Sequence, residues 1–273
     1  MFGNNYYCLV AGLKEYALDS DAKGFDARAI IDEIKAGVSK EDARTVDLLY
    51  GYYDCESVAA RRSGRAATAG LGNLTDEELD GKGNGAPEWM ASVVRAFDDP
   101  EGEDAETVDT SAGFAQALLA AYYGECARSK SRFLREWSEF DRNLRNVVAA
   151  LKARAMQLPV ENVVVGSGDV AEQLARSSAA DFGLKGELTY IDALIAASEE
   201  QNLLEKEHKI DKIRWDEADE LSWSDYFDID AVLAYLVKIN IVARWMRLDE
   251  KRGREMLGRL TAELDGKELI NKQ

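Results

Sequence analysis

The chain has 273 residues, 46% of them hydrophobic and 31% charged, with a formal net charge of −17. That length is ample for a buried core, and the carboxylate excess argues against nucleic acid or an anionic membrane surface as a direct partner. A single histidine and the widely spaced Cys8, Cys55 and Cys126 exclude paired-histidine and CxxC metal sites, so three reduced thiols of a cytosolic protein are expected.

The opening MFGNNYYCLVAGLKEYALDS has no basic n-region, so no signal peptide is expected, and its apolar-aromatic stretch predicts a short helix within Tyr6 to Leu18. Phe25, Ala29, Ile30 and Ile34 give helical spacing over 25–36. Ser39 followed by Asp42 reads as an N-terminal cap for a helix over 40–60, with Val46, Leu49, Tyr50 and Tyr53 on one side.

Between 61 and 110 the character changes. RRSGRAATAGLGN and GKGNGAPEW are Gly-rich, and residues 74–110 hold twelve acids against two bases. Loops crossing the surface of a single domain are expected there, interrupted by one helix over 87–97 with Pro87 in its first turn. An Ala-rich aromatic helix over 111–125 then leads into RSKSRFLREWSEFDRNLRNVVAALKAR, residues 128–154.

In that stretch Phe133, Trp137, Phe140, Leu144, Val147 and Leu151 recur at steps of four and three, with no Gly or Pro among them. The result is one wide apolar face on a helix about 40 Å long, the expected central beam of the fold. Asp141 lies on the edge of that face. It is either satisfied by Arg145 at i+4 or used in a contact with another helix or protomer.

Pro159 stops the beam, and helices are expected over 169–177, 189–203, 205–218 and from Ser224 or Asp228 to about 251, with Arg254 to Leu264 closing the chain. Val163 to Val165 is the only strand-like run, so the expected fold is all-α: one long-helix bundle over 1–273. The most apolar window, Ala231 to Leu248, contains Lys238, Asn240, Arg244 and Arg247, which argues against a membrane span.

Motifs for chemistry are sparse. VVVGSGDVAEQL fits a loose dinucleotide fingerprint, but Asp169 would set a negative charge beside a phosphate. A tight loop with Asp169 as helix cap is the expected reading. Residues 187–230 carry fourteen acids against four bases around His208. A divalent-metal enzyme built on those helices is the rival to a solvated acidic face, and no catalytic residue, cofactor or metal ligand is assigned.

On the last long helix Asn240, Arg244, Arg247 and Lys251 form a polar-basic stripe opposite Leu233, Leu236, Val237, Ile241 and Trp245. The stripe either neutralises the chain's own acidic helices or docks an acidic protein partner.

Two segments carry a family resemblance. EFDRNLRNVVAALKAR, through Glu139, Asp141, Asn143 or Leu144 and Arg154, resembles a segment of the C-type subunits of V/A-type ATPases, called d in eukaryotes. IDAVLAYLVKINIVARWMRLDEKRGREML is similar to that family's last long helix through Tyr235, Lys238, Arg247, Lys251 and Gly253. The opening NNYYCLVAGLKEY is similar to a bacterial domain of unknown function found with V-type ATPase subunits. The resemblance implies a non-catalytic, funnel-like helical adaptor that seats a rotor shaft on a membrane ring, and it allows for one helical lobe being reduced. Such a protein would lie in the cytoplasm and reach the membrane's inner face only through its partners. Asp141, Arg145, Tyr235, Lys238, Asn240, Arg244, Arg247 and Lys251 are then the candidate interface residues. A generic helical scaffold outside any ATPase is the further alternative.

Overall fold

Apolar residues at steps of three and four fold Arg132–Ala155 into the longest helix, α7, about 36 Å from end to end. Around it the computed structural model, which describes residues 5–18, 24–66, 70–80 and 85–248, is built of helices alone, with no strand among the described residues. Before α7 come α1 (Tyr7–Gly12), α2 (Ala27–Gly37), α3 (Lys40–Arg62), α4 (Asp76–Asp80), α5 (Glu88–Asp98) and α6 (Phe114–Ala127). After it follow α8 (Asp169–Arg176), α9 (Ile191–Ser198), α10 (Leu203–Ser222) and α11 (Ile229–Leu248). Short 3-10 turns at Glu103–Glu106 and Val160–Asn162 complete the described elements.

The expected beam is the core. Phe133, Leu134, Leu144, Val147 and Ala150 of α7 are fully buried in one hydrophobic cluster that extends from Ala27 to Ala243. Side-chain pairs fix the directions of its neighbours. Tyr123, near the end of α6, meets Asp141 of α7. Arg132, at the start of α7, meets Leu221 and Asp225 at the end of α10 and just beyond it. Thus α6 and α10 run antiparallel to α7. Phe133 N–H and Ser131 Oγ, at the start of α7, both donate to Asp230, at the start of α11, so those two helices run parallel. The Tyr50 hydroxyl donates to Asn240 Oδ1 at 2.9 Å and ties the middle of α3 to the middle of α11.

Local chemistry sets the helix starts. Ser39 Oγ accepts from Asp42 N–H at 3.1 Å, the cap that the spacing predicts, and donates to the Asp42 carboxylate, while Ser39 N–H donates to the Tyr6 hydroxyl instead of closing the box. Asp26, Ser131, Asn202 and Asp228 accept first-turn N–H groups of α2, α7, α10 and α11.

Several expectations are corrected. The first helix stops at Gly12, and the expected 189–203 helix is the shorter Ile191–Ser198, followed by a turn before Asn202. Val163–Val165 makes no strand. The Asn146 carboxamide instead accepts from Val165 N–H and donates to Val165 C=O, at 2.8 and 2.9 Å. Asp169 is the first residue of α8; the cap position falls on Gly168, at φ 124°, with no side-chain bond.

The acidic 61–110 region is more than surface loop. Met90, Val93, Val94 and Ala96 of α5 are buried, and Gly72 lies so close to Asp54 that an added Cβ would sit 2.3 Å from its Oδ1. The closing helix expected over 254–264, and Lys251 and Gly253, lie outside the described residues.

Truncating a fully buried side chain at the centre of the beam should be costly. Leu144→Ala is expected to lower unfolding free energy by about 2–5 kcal/mol, read from urea denaturation. A loss under about 1 kcal/mol would show that α7 is not the packing centre.

Candidate functional site

Helices α3, α6, α7, α10 and α11 wall a cleft of about 630 Å³. Its floor is a chain of alternating charges that joins three of them. Asp141 of α7, buried, accepts from Arg145 Nε at 2.6 Å, from Arg214 Nε at 3.2 Å and from the Tyr123 hydroxyl at 3.1 Å. Arg214 of α10 also donates to Asp211 Oδ1 at 3.1 Å. Asp211, buried, accepts on its other oxygen from Arg244 Nη1 at 2.5 Å and from Trp245 Nε1 at 2.9 Å, both on α11. Arg244 pairs with Glu207 as well.

Burial alone would push the Asp141 carboxyl up. The guanidinium groups of Arg145 and Arg214, with the hydrogen bonds from Arg145 and Tyr123, outweigh it and hold the pKa below 3.8. For Arg244 burial works against the charge, and Asp211 and Glu207 outweigh that and raise its pKa. Buried ions left alone cost several kcal/mol each, so each carboxylate here is held by at least two cationic or polar donors.

The candidate residues divide accordingly. Asp141 is satisfied both by its own helix and across to α10, so the two readings of it hold together. Arg244 and Asn240 of the supposed docking stripe face inward, to Asp211 with Glu207 and to Tyr50 respectively. Lys238 pairs with Asp219, and the Tyr235 hydroxyl donates to Lys14 C=O at 2.9 Å. Most of the stripe within the described residues therefore neutralises or ties the chain to itself.

Arg247 differs. It is exposed and lines the cleft, together with Arg142 and Lys152 of α7, and no ion pair joins these three to described residues. The lining as a whole has six cations (Arg142, Arg145, Lys152, Arg214, Arg244, Arg247) and four carboxylates (Glu56, Asp141, Glu207, Asp211). Six minus four leaves an excess of two positive charges inside a strongly acidic chain.

Sequence reasoning missed Asp211, the hub of the network. Its signal was present: an aspartate beside Ile210 with Arg214 at i+3 sits on the buried side of an otherwise polar helix. His208 packs edge-on against Trp245, ring centroids 5.4 Å apart. Among the described residues no group of three His, Cys, Asp or Glu could hold a metal ion, and Glu207, Asp211, Asp216 and Asp219 of α10 pair with Lys212, Arg214, Lys238 and Arg244.

A family model described as a protein of unknown function, DUF2764, matches residues 3–265. The chain belongs to that family. No curated protein and no solved structure matches this DUF2764 chain.

Removing the carboxylate at the centre of the network leaves Arg145 without its counter-ion and Arg214 with Asp211 alone. Asp141→Ala is expected to cost about 3–5 kcal/mol at neutral pH, with urea midpoints as the readout. Because the folded pKa of Asp141 is depressed, its contribution is full above the unfolded value of about 3.9 and is lost as pH falls through the folded one. The gap between wild type and variant should therefore narrow on acidification below about pH 4. A constant gap would show that the Asp141 charge contributes nothing.

Proposed function

We propose that this DUF2764 chain is a non-catalytic central-stalk adaptor of a V/A-type proton- or sodium-translocating ATPase, linking the rotor shaft to the membrane ring. The observation that carries the reading is where the two resembling segments meet. Residues 139–154 lie on α7 and residues 229–248 form α11; they run parallel, pinned together at Ser131 and Asp230, and wall the same cation-rich cleft. An acidic helix of a partner would enter that cleft and meet Lys152, Arg142 and Arg247, whose charges no described carboxylate engages.

Mechanical coupling asks for rigidity more than for chemistry. Long helices with continuous buried seams and a cross-linked charge network at mid-height resist bending and sliding, so torque applied at the cleft reaches the opposite end. In this reading the chain lies at the inner face of the membrane through its protein partners. Among the described residues no helix is long and apolar enough to cross a bilayer.

The test is an affinity pull-down of the tagged full chain from detergent-solubilised native membranes, with bound polypeptides identified by mass spectrometry. Rotary ATPase subunits should be recovered, and reversing Lys152 and Arg247 to Glu should weaken their binding about tenfold or more while circular dichroism stays unchanged. Arg244 is unsuitable for that purpose, because its reversal would face Asp211 and Glu207 and disturb the fold. Recovery of the chain alone would sink the adaptor reading.

A further inference from the structure

At the end of the bundle where α3, α7 and α11 begin, aromatic rings stand in solvent. Trp223 is 75% exposed, Tyr226 68%, Tyr7 55% and Phe227 37%. Tyr7, Tyr226 and Phe227 form one surface, and Trp223 stands three residues before Tyr226 in the same turn. Tyr7 and Phe227 have ring centroids 4.5 Å apart, Tyr226 and Phe227 6.4 Å, and Tyr6 N–H bonds the Phe227 carbonyl, holding α1 against the α10–α11 turn. Four rings at those exposures present on the order of 400–500 Å² of largely apolar area, which is typical of an interaction site.

Beside the rings lies a second feature. A trough of about 930 Å³ runs between α3, the α6–α7 turn and the start of α11. Its lining holds eight carboxylates (Glu41, Asp42, Asp47, Asp54, Glu78, Glu125, Asp228, Asp230) and four cations (Lys35, Arg44, Lys130, Arg132). Glu41 pairs with Lys130, Asp47 with Lys35 and Glu125 with Arg128, and Asp54 and Asp230 are buried, so what the trough offers a ligand is its excess of four negative charges, eight minus four. Trough and rings are continuous: Asp228 and Asp230 follow directly on Phe227, and the Tyr6 hydroxyl, one residue from Tyr7, donates to Asp42. A second copy of this chain, with net charge −17, would bring like charge to like.

We propose that this end is a docking surface for a cationic amphipathic helix of a protein partner. The helix's apolar face covers Tyr7, Trp223, Tyr226 and Phe227, and its lysines or arginines lie along the acidic trough. The aromatics supply rigid anchors at low entropic cost, and the trough sets orientation and excludes acidic competitors. This goes beyond the cleft reading and does not depend on it, since the two surfaces lie toward opposite ends of the parallel helices and take partners of opposite charge.

The probe is a lysine–leucine amphipathic peptide of about 18 residues, titrated by calorimetry against the full chain. Trp223→Ser with Tyr226→Ser should raise Kd about tenfold or more. Glu41→Gln with Glu125→Gln should weaken binding and flatten its salt dependence. Met156→Ser with Leu158→Ser, exposed at the far end, should leave Kd unchanged. The proposal is overturned if the Trp223 and Tyr226 double variant keeps wild-type affinity with unchanged circular dichroism. It is equally overturned if a glutamate–leucine peptide of the same pattern binds as tightly, or if phosphatidylcholine vesicles take up the chain through these rings in preference to the peptide. None of these readouts involves ATPase subunits, so failure here and failure of the adaptor reading are separable.

Discussion

Five side chains, Arg145, Asp141, Arg214, Asp211 and Arg244, hold α7, α10 and α11 in register. Hydrophobic burial draws these helices together but tolerates sliding along a seam of similar side chains. A linear alternation of buried charges does not. Shifting α10 by one turn against α7 would separate Arg214 from Asp141 and leave each, still partly dehydrated, with only the charged partner on its own helix, Asp211 and Arg145. The apolar seam thus supplies most of the stabilisation, and the charges select one arrangement among those the seam allows.

The same network explains why a basic stripe on the last helix is a poor guide to a binding surface. Arg244 recurs with Asn240 and Arg247 at helical spacing, yet the three end in different environments: an inward ion pair, a hydrogen bond to a buried tyrosine and open solvent. Spacing places residues on a face; only the packing of α10 and α3 decides which part of that face is covered. What remains available is narrower, namely Arg247 with Arg142 and Lys152, which one periodic pattern could not reveal because they come from two helices.

The long elements were legible in the sequence because they rest on local rules. The apolar period of α7, the Ser39 cap of α3 and the Asp228 start of α11 need no knowledge of distant residues. Most departures arise where distant groups intervene, and one where a local turn does. Val163 to Val165 reads as a strand until the Asn146 carboxamide, on α7, takes both backbone groups of Val165. The 189–203 helix ends early because Glu200 and Asn202 bond local backbone N–H groups and form a turn that caps α10. α5 reads as an island among acidic loops, whereas Phe114 and Tyr122 of α6 pack against its Phe97 and Trp89. Of the candidate site, Asp141 with Arg145 and Asp211 with Arg214 were legible as local helical pairs; the tie of Asp211 to Arg244 and Trp245 was not, since those lie more than thirty positions away.

Three parallel helices also align their peptide dipoles side by side. α3, α7 and α11 all point their N-termini toward the acidic trough and their C-termini toward the other end of the bundle. The side chains follow: Glu41, Asp42 and Asp230 lie in first turns, while Arg61, Arg62, Lys152, Arg154 and Arg247 lie in last turns. Each such placement contributes about 0.3–1 kcal/mol by complementing the macrodipole. The polar separation of charge along the molecule is therefore partly a response to backbone alignment, and any partner docked at either end would compete with the helix termini for the same side chains. A change of charge at either end therefore acts on folding as well as on any association made there.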